Sequence, residues 1–165
     1  MRLAVDKTRS REALVRAVDA ARRRGETIVL TNGCFDLLHV GHLHSFEFAR
    51  REGDRLIVAV NSDESVRRLK GERRPVVSEN ERAQLVAGFE TVDWVTIFSE
   101  DTPEELIRVV RPDVIVKGAE YADAAKASSL PGAAFVESYG GRVVLVPMLP
   151  GASSTRIRDA LTPRK

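Results

Sequence analysis

Five short runs of β-branched and aliphatic residues recur along the chain, and between them the apolar positions switch to helical spacing. The runs are Thr27–Thr31, Arg55–Val60, Trp94–Phe98, Asp113–Lys117 and Arg142–Val146. Most are continuously apolar in the middle, the pattern of parallel strands covered on both faces. Of the intervening segments, Arg9–Arg24 carries Leu14, Val18 and Ala21 on one face and stops at Gly25. Gly41–Glu52 stops at Gly53, a residue suited to a left-handed C-terminal cap. Ser78 with Glu81 and Thr102 with Glu105 fit the capping box, with Pro103 at a first helical position. A last helix is expected to begin near Ser153 or Ser154.

This alternation predicts an α/β fold: a Rossmann-like, doubly wound, five-stranded parallel sheet with helices on both faces. Residues 1–165 read as one domain, with 1–25 forming an N-terminal helix packed on it. There is no internal repeat, linker or low-complexity tract, and only Gly118–Pro131, rich in Ala and Ser, reads as a loop. The unusual polar motifs all follow strands: Asn32–His42 the first, Asn61–Asp63 the second, Gly118–Tyr121 the fourth and Pro147–Thr155 the fifth. Open α/β sheets bind ligands at the carboxyl ends of their strands, so four motifs on one edge reinforce each other.

Composition narrows the function. With 26 basic and 24 acidic residues the formal charge is +2, and no basic stripe carries interleaved aromatics. Six Phe, two Tyr and one Trp do not make a base-stacking platform, so no nucleic-acid partner is expected. No apolar run reaches the ~20 residues that cross a bilayer, and the N-terminus lacks the apolar core of a secretory signal. The single cysteine, Cys34, fits a reducing compartment. A cytoplasmic location without membrane attachment is the expectation.

The chemistry concentrates in TNGCFDLLHVGHLH, Thr31 to His44, which holds all three histidines. A strand that breaks into a glycine-bearing loop and then opens a helix suits phosphate, because free N–H groups and the positive helix end converge there. His39 and His42, three residues apart at a helix start, lie on one side of it. Gly41 removes a side chain where phosphate would need close backbone approach. Two other readings stay open: a pair of capping histidines, and a zinc site of His39, His42 and Cys34, for which no second ligand cluster appears. Cys34 as a nucleophile lacks a paired base. Gly151 through Ser153, Ser154 and Thr155 is a second hydroxyl-rich helix start, suited to phosphates or to plain N-capping. Asp36 and Asp63 are candidates for sugar-hydroxyl or Mg²⁺ contacts, or for turn stabilisation. Lys117, ending an apolar strand before Gly118, would point into the cleft and could hold a ligand's phosphate. No GxGxxG and no GxxxxGK[ST] appears, against dinucleotide and P-loop readings.

GCFDLLHVGH resembles the signature of the HxGH nucleotidylyltransferases. The likeness extends through NSDESVRRLKG, SENERAQLVAGFETVDWV, TPEELIRVVRPDVIVKG and GASSTRIRDAL, most closely like bacterial D-glycero-β-D-manno-heptose 1-phosphate adenylyltransferases. The resemblance implies a transferase passing AMP from ATP to a sugar 1-phosphate, giving ADP-heptose and pyrophosphate. It implies catalytic roles for His39, His42, Arg82 and Arg158. It implies nucleotide contacts from Cys34, Phe35, Gly41, Lys70, Gly151, Ser153, Ser154 and Thr155, and acceptor contacts from Asp36, Asp63 and Lys117. Mg²⁺ would arrive with ATP, with no protein metal cage. Relatives often pair, so a homodimer is an outcome the resemblance allows. The heptose pattern has STT where this chain has SST, and KGGDY where it has Lys117-Gly118-Ala119-Glu120-Tyr121. Alternatives are a cytidylyltransferase acting on glycerol 3-phosphate or a similar small phosphate, and a non-catalytic nucleotide-binding module.

Overall fold

The computed structural model describes residues 3–118, 130–147, 149, 151 and 155–157. Five strands, β1 (Ile28–Gly33), β2 (Arg55–Asn61), β3 (Trp94–Phe98), β4 (Val114–Lys117) and β5 (Arg142–Leu145), form one sheet in the order β3-β2-β1-β4-β5. All neighbouring pairs are parallel. The doubly wound fold is the one the sequence predicts. The helices are α1 (Ala4–Lys7), α2 (Arg11–Arg22), α3 (Val40–Arg51), α4 (Asp63–Lys70), α5 (Glu79–Ala87), α6 (Glu104–Val110) and α7 (Ala133–Glu137).

Strand alternation sends side chains to two cores. Val29, Val58, Val60, Val114 and Val116 pack with Phe46 and Ala49 of α3 and with Ala83, Val86 and Ala87 of α5. Ile28, Leu30, Ile57, Ala59 and Ile115 pack on the other face with α2, α6 and α7, through Leu14, Val18, Ala21, Ile107, Val110 and Val136. Burying Phe46 completely contributes roughly 2–3 kcal/mol. Chain order reverses between β1 and β4, which opens the crevice where such sheets hold ligands.

Local signals act mostly as expected. Ser10 caps α2, its hydroxyl accepting from the Ala13 N–H at 3.2 Å, and Gly25 takes a positive φ of 76° beyond its end. Glu81 reaches back to the Ser78 N–H at 3.2 Å, closing the capping box of α5. Two expectations need correction. Gly53 is not a left-handed cap; a Cβ there would stand 2.7 Å from Val29 Cγ2 and 3.0 Å from the Thr27 carbonyl, so the site demands absence of bulk. Pro103 is the N-cap of α6 rather than its first residue, and no side chain caps that helix. The left-handed residue at its far end is Arg111, whose N–H reaches the Ile107 carbonyl at 2.7 Å. Helix α4 was hidden in sequence because its only buried side chains are Ser65 and Val66. The expected helix start at Ser153 and Ser154 lies outside the described residues, although 155–157 are helical.

At the amino end of the sheet charged side chains pair with one another and with the backbone. Arg55 grips Glu26 with two bonds, 2.6 and 3.1 Å, and Asp93 with a third at 2.9 Å, and stacks over Trp94. Arg24 adds a 2.8 Å bond to Glu26. The carboxylates of Asp93, Asp54 and Asp113 accept from the strand-leading N–H groups of Leu56, Thr27 and Ile28.

Candidate active site

At the other end of the strands, a cavity of about 390 Å³ opens over β1 and the start of α3. Thr31 to Asp36, His39, Gly41, His42, Lys70, Arg74, Gly118 and Thr155 all contribute to its lining.

Helix α3 begins with a cap built from histidines. His39 is the N-cap, and its Nδ1 accepts from the Gly41 N–H at 3.1 Å. The Nδ1 of His42 accepts from the His39 N–H at 3.2 Å. Each Nδ1 therefore carries a lone pair, which leaves the ring proton on Nε2. Burial pushes the His42 imidazole down to about 4, helped by the nearby charges of His39 and Lys70; burial also lowers His39. The rings stack with centroids 4.0 Å apart. Capping and ligand binding are thus compatible, since the first uses Nδ1 and leaves Nε2–H as a donor. At neutral pH the pair supplies two uncharged donors.

The loop before α3 is held in an uncommon shape. Phe35 has φ of 50°, in the left-handed region that costs a non-glycine residue roughly 1–2 kcal/mol. Its ring is buried against His42 and Phe46, with centroids at 5.4 and 5.3 Å. A Cβ on Gly33 would meet that ring at 3.0 Å. The ring packing holds the strained residue and sets the platform beneath the imidazoles.

Asp36 lines the cavity, but its carboxylate is engaged. One oxygen accepts from the N–H groups of Val76 and Val77 at 2.7 and 3.0 Å, and the other pairs with Arg74 Nε at 2.9 Å. Asp36 therefore latches the segment after α4 over the cavity and turns Arg74 into its wall. Arg82 is fully buried and does not line the cavity. Its guanidinium donates to the Val77 carbonyl at 2.9 Å, to the Cys34 carbonyl, and to Asp63 Oδ1 at 2.7 Å. It ties the site loop, the latched segment and the start of α4 together from behind. Asp63 serves that tie, and its own N–H is capped by Glu79 at 2.6 Å.

Lys117 is buried behind the lining, its ammonium donating to Asn32 Oδ1. Gly151 has a positive φ of 79°, and its carbonyl accepts from Arg156 at 2.8 Å. Ser153, Ser154 and Arg158 lie outside the described residues. The structure thus brings Cys34, Phe35, Asp36, His39, Gly41, His42, Lys70 and Thr155 to one cavity and sets Arg82, Asp63 and Lys117 behind it. Sequence reasoning passed over Asn32 and Arg74. Arg74 is one of several arginines around α4, and nothing in spacing separates it from its neighbours. Asn32 was detectable only as a polar residue ending a buried strand.

Burial raises the Cys34 thiol above its ordinary value, so it stays protonated near neutrality. Among the described residues no group of three or more His, Cys, Asp and Glu side chains could hold a metal ion. The zinc reading finds no ligand set there. Among the same residues no helix is long and apolar enough to cross a membrane.

The chain is 49% identical over 158 residues to the bifunctional protein HldE of Syntrophotalea carbinolica, covering 96% of this chain and 31% of that protein. It is 53% identical over 148 residues to the bifunctional protein HldE of Koribacter versatilis, covering 90% of this chain and 30% of that protein. It therefore spans about a third of the length of these relatives. Among solved structures it is similar to the lipopolysaccharide core biosynthesis protein from Thermoplasma volcanium, with a TM-score of 0.64 and 28% identity over 76% of this chain and 99% of that one. The sequence profile for cytidylyltransferase-like domains matches residues 30–160, from within β1 through the histidine cap and past Thr155. The chain belongs to the cytidylyltransferase-like family.

Proposed function

We propose that this domain transfers AMP from ATP to a sugar 1-phosphate, with D-glycero-β-D-manno-heptose 1-phosphate as the acceptor. A phosphate oxygen of the acceptor bonds to the α-phosphorus, the bond from that phosphorus to the bridging oxygen breaks, and pyrophosphate leaves with the electron pair. The acceptor phosphate, with a second pKa of about 6, is largely dianionic at neutral pH and needs no base. Positioning and charge stabilisation remain as the work of the protein.

The observation that carries this reading is the pair of hydrogen bonds that His39 and His42 accept through Nδ1. Both present Nε2–H donors at a helix start, held through Nδ1, and burial lowers both imidazoles, His42 to about 4. Such donors suit the non-bridging oxygens of a phosphorus gaining charge in the transition state. Lys70 and Arg74 line the same cavity and suit the β- and γ-phosphates and the departing pyrophosphate. Asp36 and Asp63, the carboxylates considered for Mg²⁺, are engaged by Arg74 and Arg82. Mg²⁺ would enter as part of the MgATP substrate, held by phosphate oxygens and water. Cells keep ATP and sugar phosphates in the cytoplasm, where we place the reaction.

The resemblance to heptose-1-phosphate adenylyltransferases, with 49% and 53% identity to two HldE proteins, supports ATP and the heptose acceptor. Pyrophosphate release is the test, measured with ATP and CTP against heptose 1-phosphate, other sugar 1-phosphates and glycerol 3-phosphate. Release is expected with ATP and heptose 1-phosphate. Release only with CTP and glycerol 3-phosphate would overturn the acceptor, and tight ATP binding with no release from any acceptor would overturn the reaction.

A further inference from the structure

Among the described residues, the imidazole and basic groups that line the cavity come from α3, α4 and the segment after α4. His39 caps α3, Gly41 and His42 belong to it, Lys70 ends α4 and Arg74 follows in the next segment, and α3 packs on the sheet face of Val29 and Val58. Asn32 in β1 and Lys117 in β4 stand on the sheet itself. By strand alternation from Ile28, Leu30 and Ile115, both lie on the sheet face covered by α2, α6 and α7, where β1 meets β4. The Lys117 ammonium donates to Asn32 Oδ1, and Asn32 lines the cavity.

That bond decides which way the amide faces. Lys117 can only donate, so the atom beside it must be the oxygen, and the NH₂ of Asn32 lies on the opposite side of Cγ. Free choice between donor and acceptor is thereby removed, and Asn32 offers donors to an oxygen-rich ligand. An in-line displacement places the nucleophile opposite the leaving pyrophosphate. A donor on the sheet face opposite the one that α3 covers therefore suits the nucleophile. Resting on the transfer reading above, we propose that Asn32 is a specificity-determining residue that reads oxygen atoms of the sugar phosphate acceptor, and that Lys117 acts through it as a positioning residue. Asn32 thus takes over the contact with the acceptor that the sequence suggested for Lys117.

The sharpest variant is Asn32→Asp, which still accepts from Lys117, so the buried ammonium keeps a partner, but replaces the donor with a charged oxygen. Losing a hydrogen bond to a charged group and gaining repulsion should raise the acceptor KM about 10- to 100-fold, while the ATP KM stays within about twofold. Lys117→Met should raise the acceptor KM in the Asn32 background and add little in Asn32→Ala, the non-additivity of residues acting as one unit. Equal changes in both KM values, no change in either, or a full Lys117→Met effect on top of Asn32→Ala would overturn the assignment. Calorimetric titration of heptose 1-phosphate into protein saturated with the α,β-methylene analogue of ATP separates the two levels. Wild type that fails to bind the sugar phosphate overturns the transfer reading and this inference with it. Wild type that binds, with Asn32→Asp binding equally well, overturns the role of Asn32 alone.

Discussion

The two ends of the sheet use the same residue types for opposite purposes. At the amino end, Arg55, Glu26, Arg24 and Asp93 satisfy one another, and aspartates close the leading N–H groups of the strands. At the carboxyl end, Lys70 and Arg74 face a cavity, and two imidazoles spend one nitrogen on the backbone and keep the other for it. The pairs at the amino end stabilise the fold, whereas Arg74 is held at Nε by Asp36 and still lines the cavity. The cavity end owes its precision to a layer behind it, where Arg82 and Asp63 take the role that Arg55 and Glu26 play at the far end. What separates the ends is where the satisfied layer sits relative to solvent.

The strongest test removes that layer. Arg82→Ala leaves Asp63 and two carbonyls without their buried donor and should cost roughly 3–5 kcal/mol of stability, read as a lower urea midpoint. Asp63→Asn, whose amide oxygen still accepts, should cost clearly less. A near-wild-type midpoint for Arg82→Ala would show that the cavity end does not depend on its buried tie.

His42→Ala should separate function from stability. Loss of a preorganised donor is expected to lower kcat on the order of 10²-fold or more, while the lost contact with the His39 N–H costs about 1 kcal/mol of stability. Turnover at the wild-type rate with the fold intact would remove His42 from the mechanism. At the amino end the reverse holds. Arg55→Met should lose about 1 kcal/mol, a few degrees in Tm, with kcat unchanged. A fall in kcat without a fall in Tm would contradict the division between the ends.

The ends should also separate by pH. Because folding lowers His42 from 6.5 to about 4, the unfolded chain binds a proton there that the folded chain refuses, and stability falls as pH drops through that window. The slope from His42 is at most about 1.4 kcal/mol per pH unit. Hydrogen bonds from Arg55 and then Arg24 hold Glu26 at about 2 instead of 4.5, so its contribution is present above 4.5 and lost as pH falls toward 2. His42→Asn should flatten the upper part of a stability profile and Glu26→Gln the lower. An upper slope that survives His42→Asn would assign it to another group.

Much of this protein could be read without coordinates. Hydrophobic runs and capping residues located all five strands to within two residues at either end, because burial on both faces of a parallel strand leaves a continuous apolar record. The histidine cap was legible because a helix start confines its chemistry to a few consecutive positions. Helix α4 was less visible, since a helix that buries Ser65 and Val66 leaves almost no apolar stripe.

Which charged side chain meets the cavity and which supports it was decided in three dimensions. Arg82 and Arg74 carry the same group, yet one is sealed behind the Cys34 carbonyl and the other is turned into the cavity by Asp36. Lys117 looks like a ligand contact along the chain and becomes the partner of Asn32 only when β4 lies beside β1. Periodicity and capping are local, so a linear chain records them. The partner of a buried charge comes from strands and loops distant in sequence, and only their packing selects it.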